Sequence, residues 1–150
     1  MTRKIPRGVA LVATGATEAV TLGNLEARRD WGHAKRYVET IWRMLQLEEP
    51  EDFVIATGEL HSVREFCEAA FGVVGLDYRE HVKSDPRLCR PEPKVPLVGD
   101  ASKARKRLGW TYDLRLEDLV REMVESELEA LRTPGREALG GGFRASEGGA

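Results

Sequence analysis

Three stretches of the chain repeat apolar residues at the spacing of one helical face, i, i+3, i+4 and i+7, which predicts amphipathic helices. The first covers about 32–47, with Ala34, Tyr37, Val38, Ile41, Trp42 and Leu45. The second follows the capping-box pattern of Ser62 and Glu65, carries Val63, Phe66, Ala70 and Phe71, and ends at Gly72 and Gly75. The third covers about 116–131, with Leu116, Leu119, Val120, Met123, Val124, Leu128 and Leu131.

Shorter apolar runs predict three strands, at Val20–Leu22, Phe53–Ala56 and Tyr78–Val82. Each is bounded by glycine, proline or a polar break. Together with the helices they indicate an α/β fold that is mostly helical and has few short strands. We find no internal repeat.

Two further helices carry weaker signals. Pro6 and Gly8 confine the first helix of the chain to about residues 9–14, because proline and glycine disfavour a helix interior. A short helix is expected from Asp100, as its cap, through Leu108. The glycine-rich residues 133–150 are predicted to form a disordered tail after one unit over 1–132.

Composition excludes several classes of function. The 150 residues include 23 basic and 25 acidic side chains, so the net charge of −2 gives no whole-chain basic excess for nucleic acid. No apolar run approaches the roughly 20 residues of a membrane span, and no signal peptide is recognisable. Cys67 and Cys89 have no partner ligands at zinc spacing. We therefore predict free thiols in a reducing compartment, with a cytoplasmic location.

The candidate chemistry lies in basic residues near helix starts. Arg28 and Arg29 come just before Asp30, which is expected to cap the helix over 32–47. A guanidinium beside a helix N-terminus suits an anion such as a nucleotide diphosphate. The alternative is that both arginines are solvated surface charges. Lys4 and Arg90, before a proline-stiffened loop, are further candidates.

Catalytic constellations are missing from the sequence. It contains neither G-x-G-x-x-G nor G-x-x-x-x-G-K-[ST], and its three histidines have no ligand spacing. None of its three tyrosines has a lysine four residues on. The aromatic residues are expected to pack in the core rather than to form a stacking platform; these are Trp42, Phe53, Phe66 and Phe71.

Residues 22–34, LGNLEARRDWGHA, resemble a hallmark segment of GDP-mannose 4,6-dehydratases, which belong to the extended short-chain dehydrogenase/reductase superfamily. The resemblance extends over about residues 1–132. It continues through EPEDFVIATGE at 49–59, HSVREF at 61–66, RP at 90–91, LGW at 108–110 and LVREMV at 119–124.

The resemblance implies that this chain is the C-terminal, substrate-binding lobe and lacks the Rossmann cofactor domain. Enzymes of the family bind NADP through an upstream glycine-rich loop, and their catalytic Tyr-x-x-x-Lys pair is also upstream. No catalytic residue is therefore expected in this chain, and no NADP binding by it alone. The family pattern assigns Arg29 and Arg90 to the two sides of the GDP diphosphate.

Further roles follow from the same resemblance. Lys4 would lie near the nucleotide, and Asn24 in the same pocket wall. Asp30 would cap the helix and orient Arg29, without acting as a catalyst. The strand Phe53–Ala56 would join the edge of the cofactor-domain sheet.

Three functional hypotheses remain open. The first is a truncated GDP-mannose 4,6-dehydratase, inactive alone, from a shortened gene or a start assigned inside a longer reading frame. The second is a non-catalytic module that binds GDP-mannose or a related GDP-sugar. The third is half of a split enzyme, completed by a separate cofactor-domain chain. A homo-oligomer is a further expectation, because an apolar strand edge invites association.

Overall fold

The computed structural model describes residues 2–89, 91, 95 and 97–133. The helices in that part are α1 (Lys4–Ala13), α2 (Ala34–Met44), α3 (Val63–Val73), α4 (Tyr78–His81), α5 (Ser102–Leu108) and α6 (Leu116–Arg132). The strands are β1 (Val20–Leu22), β2 (Arg28–Arg29), β3 (His61–Ser62) and β4 (Val82–Ser84), and Pro86–Leu88 form a 3-10 turn. Arg90 and the predicted tail beyond Thr133 lie outside the described residues.

The main core lies between α1, α3 and α6. Helix α6 packs against both of the others, and its apolar stripe supplies buried Leu116, Val120 and Val124. Phe66 and Phe71 on α3 are fully buried between the helices. The predicted capping box of α3 is confirmed: Ser62 Oγ accepts from the Glu65 amide, and the Glu65 carboxylate accepts from the Ser62 amide. The stripe predicted for α6 therefore does form one wall of the core.

Helix α1 begins earlier than the sequence predicts, at Lys4 instead of about Val9. Pro6 is the third residue of the helix, where an amide has no partner within the helix, so its missing N–H costs no hydrogen bond. Gly8 lies where α1 crosses β1: a Cβ added there would stand 2.5 Å from Val20 Cγ2. Pro6 is therefore tolerated because of its position in the first turn of α1. Gly8 is required because a residue without a Cβ is needed beside Val20.

Two small sheets flank this core. β1 and β4 are parallel, with Val20 opposite Val82, and β2 and β3 are antiparallel, with Arg29 opposite His61. The predicted β1 is confirmed. The predicted strand Tyr78–Val82 is wrong over most of its length, because Asp77 accepts a hydrogen bond from the Arg79 amide and starts the helical turn α4.

A second apolar cluster lies apart from the main core. Four residues of α5 and the loops around it are buried in this cluster, and they are Ala101, Ala104, Leu108 and Trp110. Phe53 and Ile55 pack against it, and the indole N–H of Trp110 donates to the Ala56 carbonyl at 2.8 Å. Residues 53–56 are not a strand in the structure, which corrects that prediction. The Ala56 carbonyl accepts its hydrogen bond from the Trp110 side chain and not from a neighbouring strand.

Helix α2 covers one side of this second cluster. Tyr37 and Met44 face the cluster, and Thr40 is the one buried residue of α2, all of which the structure describes. Trp42 is 61% exposed, so its assignment to the core was wrong. The apolar stripe predicted for α2 is present, but most of it is exposed: only Tyr37 of the stripe packs against the cluster, whereas Val38, Ile41, Trp42 and Leu45 face outward.

The crossing of α1 over β1 gives the first prediction. Gly8→Ala should lower the free energy of unfolding by about 1–3 kcal/mol, because the new methyl group overlaps the buried Val20 side chain. Gly72→Ala is the matched control, since nothing lies within 4 Å of a Cβ added there. It should raise stability by about 0.5–1 kcal/mol. Urea denaturation of both variants measures the difference, and a Gly8→Ala protein as stable as wild type would contradict the close crossing.

Candidate functional site

A cleft of about 530 Å³ lies where the start of α1, the end of β1 and strand β2 meet. Its lining residues are Thr2, Lys4, Leu22, Gly23, Asn24, Ala27, Arg29, Asp30, Trp31 and Leu88. Three of the four residues predicted for the site, Lys4, Asn24 and Arg29, therefore line one cleft although they come from different elements. The fourth, Arg90, is not among the described residues.

Arg29 lines the cleft from the short strand β2, whose backbone is held in place by hydrogen bonds. β2 pairs with β3. Just before β2, the carbonyls of Ala27 and Leu25 accept from the amides of Val63 and Arg64, at 3.0 and 2.8 Å. The Arg29 guanidinium donates to the Arg28 carbonyl at 2.6 Å and its side chain is exposed. An exposed arginine on a paired backbone strand is suited to contact an anionic ligand.

Asn24 serves the turn that leads from β1 to β2. Its side-chain oxygen accepts from the Glu26 amide at 2.9 Å, which is an Asx turn. Next to it, a Cβ on Gly23 would stand 2.5 Å from the Leu88 carbonyl oxygen. The glycine therefore lets the Pro86–Leu88 turn close over one wall of the cleft.

Asp30 does not cap α2, which corrects the sequence prediction. Its carboxylate accepts three hydrogen bonds from the loop before β3: from the Thr57 amide at 3.2 Å, the Thr57 hydroxyl at 2.8 Å and the Gly58 amide at 2.9 Å. Two links thus join the same segments of chain. β2 pairs with β3, and Asp30, directly after β2, binds the loop before β3. This fixes the backbone next to Arg29.

The cap of α2 is His33. Its Nδ1 accepts from the Lys35 amide at 3.1 Å, and its Nε2 lies 3.2 Å from the Glu122 carboxylate on α6. The His33 amide donates to the Tyr112 hydroxyl at 3.0 Å. The cap therefore lies three residues beyond the predicted one and α2 starts at Ala34, because the bonds of Asp30 are already taken by the loop.

Two groups outside the cleft lining, Tyr37 and Cys67, are unsuited to acid–base or nucleophilic work. Burial, with the nearby Asp30 carboxylate, raises the pKa of the Tyr37 phenol to about 12, so the phenol stays protonated at neutral pH. Burial likewise raises the pKa of the Cys67 thiol to about 12. A thiol that remains protonated is a poor nucleophile. Both groups act as core residues.

The described residues show few of the features that a metal site or a Rossmann dinucleotide site requires. They contain no group of three or more His, Cys, Asp or Glu side chains that could hold a metal ion. A Rossmann site needs a parallel sheet with a glycine-rich turn into a helix, whereas the parallel sheet found here has two strands. Nor is any described helix long and apolar enough to cross a membrane.

Sequence reasoning missed the apolar half of the cleft. Trp31 lines it and packs on Phe66 of α3, with ring centroids 5.0 Å apart. Leu22 could have been found from the alternation of β1, whose burial pattern is in, out, in. Leu88 could not, because the 3-10 turn that brings it there follows a strand predicted in the wrong place.

A sequence profile of the family described as GDP-mannose 4,6 dehydratase matches residues 1–123. The chain belongs to this family. Curated relatives agree. The human GDP-mannose 4,6 dehydratase is 46% identical over an alignment of 150 positions, which covers 89% of this chain and 40% of the relative. The Vibrio cholerae GDP-mannose 4,6-dehydratase is 44% identical and is 42% covered. The chain thus spans about two fifths of the length of the family members it matches.

Solved structures agree in fold. The structure described as RMD from Pseudomonas aeruginosa complexed with NADPH superposes with a TM-score of 0.74 at 14% identity, covering 87% of this chain and 42% of that one. A dTDP-glucose 4,6-dehydratase from Bacillus anthracis in complex with NAD gives 0.65 at 18% identity, covering 81% and 37%. The α/β class predicted from the sequence is therefore confirmed, with short-chain dehydrogenase/reductase enzymes as structural neighbours.

The bonds of Asp30 give the second prediction. Asp30→Ala should lower the free energy of unfolding by about 1–3 kcal/mol, because three donors of the 57–58 loop lose a charged acceptor. Asp113→Ala removes an equal charge from an exposed pair with Arg36 at 3.4 Å and should cost less than about 0.5 kcal/mol. Thermal unfolding of the two variants decides; equal shifts would mean that Asp30 is only another surface charge.

Proposed function

We propose that this chain is the substrate-binding part of a GDP-mannose 4,6-dehydratase, and that its cleft holds the nucleotide diphosphate of a GDP-sugar. The observation that supports this most directly is the convergence of Lys4, Asn24 and Arg29 on one cleft in a chain of this family. Without this convergence, membership of the family would indicate common descent but would identify no functional surface in this part of the protein.

The size and charge of the cleft support this proposal. A volume of about 530 Å³ lies within the roughly 300–1,000 Å³ usual for small-molecule sites. Lys4 and Arg29 bring two positive charges to the lining against the one negative charge of Asp30, whose carboxylate oxygens accept three hydrogen bonds from the 57–58 loop. The cleft therefore favours an anion. Its apolar side, with Leu22, Trp31 and Leu88, suits the flat or less polar part of the same ligand.

The roles proposed for the residues are binding and positioning. Arg29, with Arg90 from the far side, would hold the diphosphate through charge-assisted hydrogen bonds. Lys4, in the first turn of α1, would add charge next to amides that have no partner within that helix. Asp30 would keep Arg29 in place through its hydrogen bonds with the 57–58 loop.

The chemical step is assigned to the rest of the enzyme. In the family, NADP supplies hydride transfer when it is bound, and this chain has neither the glycine-rich loop nor the Tyr-x-x-x-Lys pair. We therefore expect the isolated chain to bind a GDP-sugar without converting it. Binding without turnover would favour a binding module or half of a split enzyme over an inert fragment.

The third prediction concerns Arg29. Calorimetric titration with GDP-mannose should show binding that Arg29→Ala weakens about 10- to 100-fold, the loss of roughly 1.5–3 kcal/mol expected for a hydrogen-bonded charge. Arg28→Ala is the matched control. It removes the same charge from the same strand, but Arg28 does not line the cleft, so its affinity should stay within about threefold of wild type.

Circular dichroism of each protein provides the folding control for this titration. A folded wild-type chain that takes up no GDP-mannose would contradict binding by the isolated chain. Equal losses from Arg28→Ala and Arg29→Ala would indicate a general effect of positive charge, and would remove Arg29 from the proposed site.

A further inference from the structure

His61 lies directly opposite Arg29 where β2 pairs with β3. Residues directly opposite each other in an antiparallel pair project from the same face, with Cβ atoms about 4.5–5.5 Å apart. Arg29 lines the cleft, so the His61 side chain leaves the strand pair on the face from which Arg29 reaches the cleft. The other pair, Arg28 and Ser62, belongs to the opposite face, where Ser62 is buried and caps α3. One face of the strand pair therefore supports α3, and the other presents Arg29 and His61.

The imidazole of His61 is accessible to a ligand. Its side chain is 29% exposed, and its Nε2 lies 3.8 Å from the carboxylate of Glu59, whose side chain is 79% exposed. Such an exposed ion pair is weak, because water screens it. A charged imidazole donates from both ring nitrogens, so it can stay near Glu59 through Nε2 and donate to a second acceptor through Nδ1. His61 is outside the lining of the cleft, so it would meet the part of a ligand that extends past Arg29.

The charges on the segments next to β3 are balanced. A histidine changes its charge between about pH 5 and 8, and neighbours of one sign would fix its state in advance. Three cations and three anions lie on these segments, and they are Arg28, Arg29 and Asp30 at β2, Glu59 in the preceding loop, and Arg64 and Glu65 at the start of α3. A diphosphate bound beside Arg29 would add negative charge to this balance. It would favour the protonated imidazole, so that binding takes up a proton.

We propose that His61 is a further binding residue for the diphosphate of the GDP-sugar, and that it acts beside Arg29 in its protonated form. This inference rests on the proposed function, in which the cleft holds that diphosphate. It adds a contact from β3 to the contacts from α1 and β2. It also makes the affinity of the site depend on pH, because Lys4 and Arg29 keep their charge over the range in which a histidine gains its own.

The test is a calorimetric titration of the 150-residue chain with GDP-mannose at about pH 8 and about pH 5.5. Wild type should bind about three- to tenfold more tightly at the lower pH, an effect between those of an exposed ion pair and a hydrogen-bonded charge. The ligand does not titrate in this range, because each phosphate of a nucleotide sugar is substituted on both sides and keeps no weakly acidic proton. His61→Gln should bind equally at both pH values, with the wild-type affinity of about pH 8.

Three further measurements separate a ligand contact from a structural role. His81→Gln is the matched control: it removes another histidine, at the end of α4 with its Nδ1 at the Glu18 carbonyl, and should keep the wild-type pH dependence. His61→Arg carries a permanent charge and should bind at both pH values within about threefold of wild type at the lower one. In two buffers of different ionisation heat, wild type and His81→Gln should take up protons on binding and His61→Gln should take up none. Circular dichroism at both pH values checks that each protein is folded.

Several results would overturn the inference. A wild-type affinity that does not change with pH, or a His61→Gln protein that keeps the wild-type pH dependence, would remove His61 from the site. Equal losses from His61→Arg and His61→Gln at the lower pH would assign the residue a structural role. The two proposals also fail separately. Binding that Arg29→Ala weakens and His61→Gln does not would keep the proposed function and reject His61, whereas a folded wild-type chain that takes up no GDP-mannose would reject both.

Discussion

The packing of α6 against α1 and α3 is the interaction on which the rest of the described structure depends. α6 is the longest helix, and it buries Leu116, Val120 and Val124 in the main core while its Glu122 reaches His33 at the start of α2. The two short sheets have too few strands to be stable by themselves. They keep their shape because β1 packs against α1 and β3 packs against α3. The cleft, in turn, forms where the end of β1 and strand β2 meet the first turn of α1.

The candidate site of this chain is therefore built on loops and strand ends supported by a helical core. Arg29 owes its position to β3 and to the bonds of Asp30, and neither belongs to the core itself. A substitution in the core would reach the cleft through α3, which starts directly after β3. This arrangement separates the residues that meet a ligand from those that keep the chain folded, as is usual for sites built on loops.

Sequence periodicity predicted α2, α3 and α6 because each carries a stripe of apolar residues at helical spacing. The pattern says that a face must be covered, but not by what, and so it assigned Trp42 to a core that the described residues do not provide. Propensity failed at α1, where the contact of Gly8 with Val20 is a tertiary fact. It also failed at Asp30, since sequence cannot show that a loop 27 residues further on takes its carboxylate. Lys4, Arg29 and Arg90 stood out as basic residues on loops and helix starts, but their roles, and Asn24 as a site residue, came from family resemblance, because an arginine before a helix has no chemical signature of its own.

The division of the apolar residues into two clusters has a consequence for the dynamics of the chain. The main core unites α1, α3 and α6, whereas α2, α5 and residues 53–56 share a cluster with four buried members. Regions with few buried contacts open at a lower free energy than the molecule as a whole. Amide hydrogens of α2 and α5 should then exchange with solvent through a local opening that leaves α3 and α6 closed. Only residues 31–33 separate Asp30 from the start of α2, so this opening would loosen the chain beside the cleft while the core that supports the cleft stays folded.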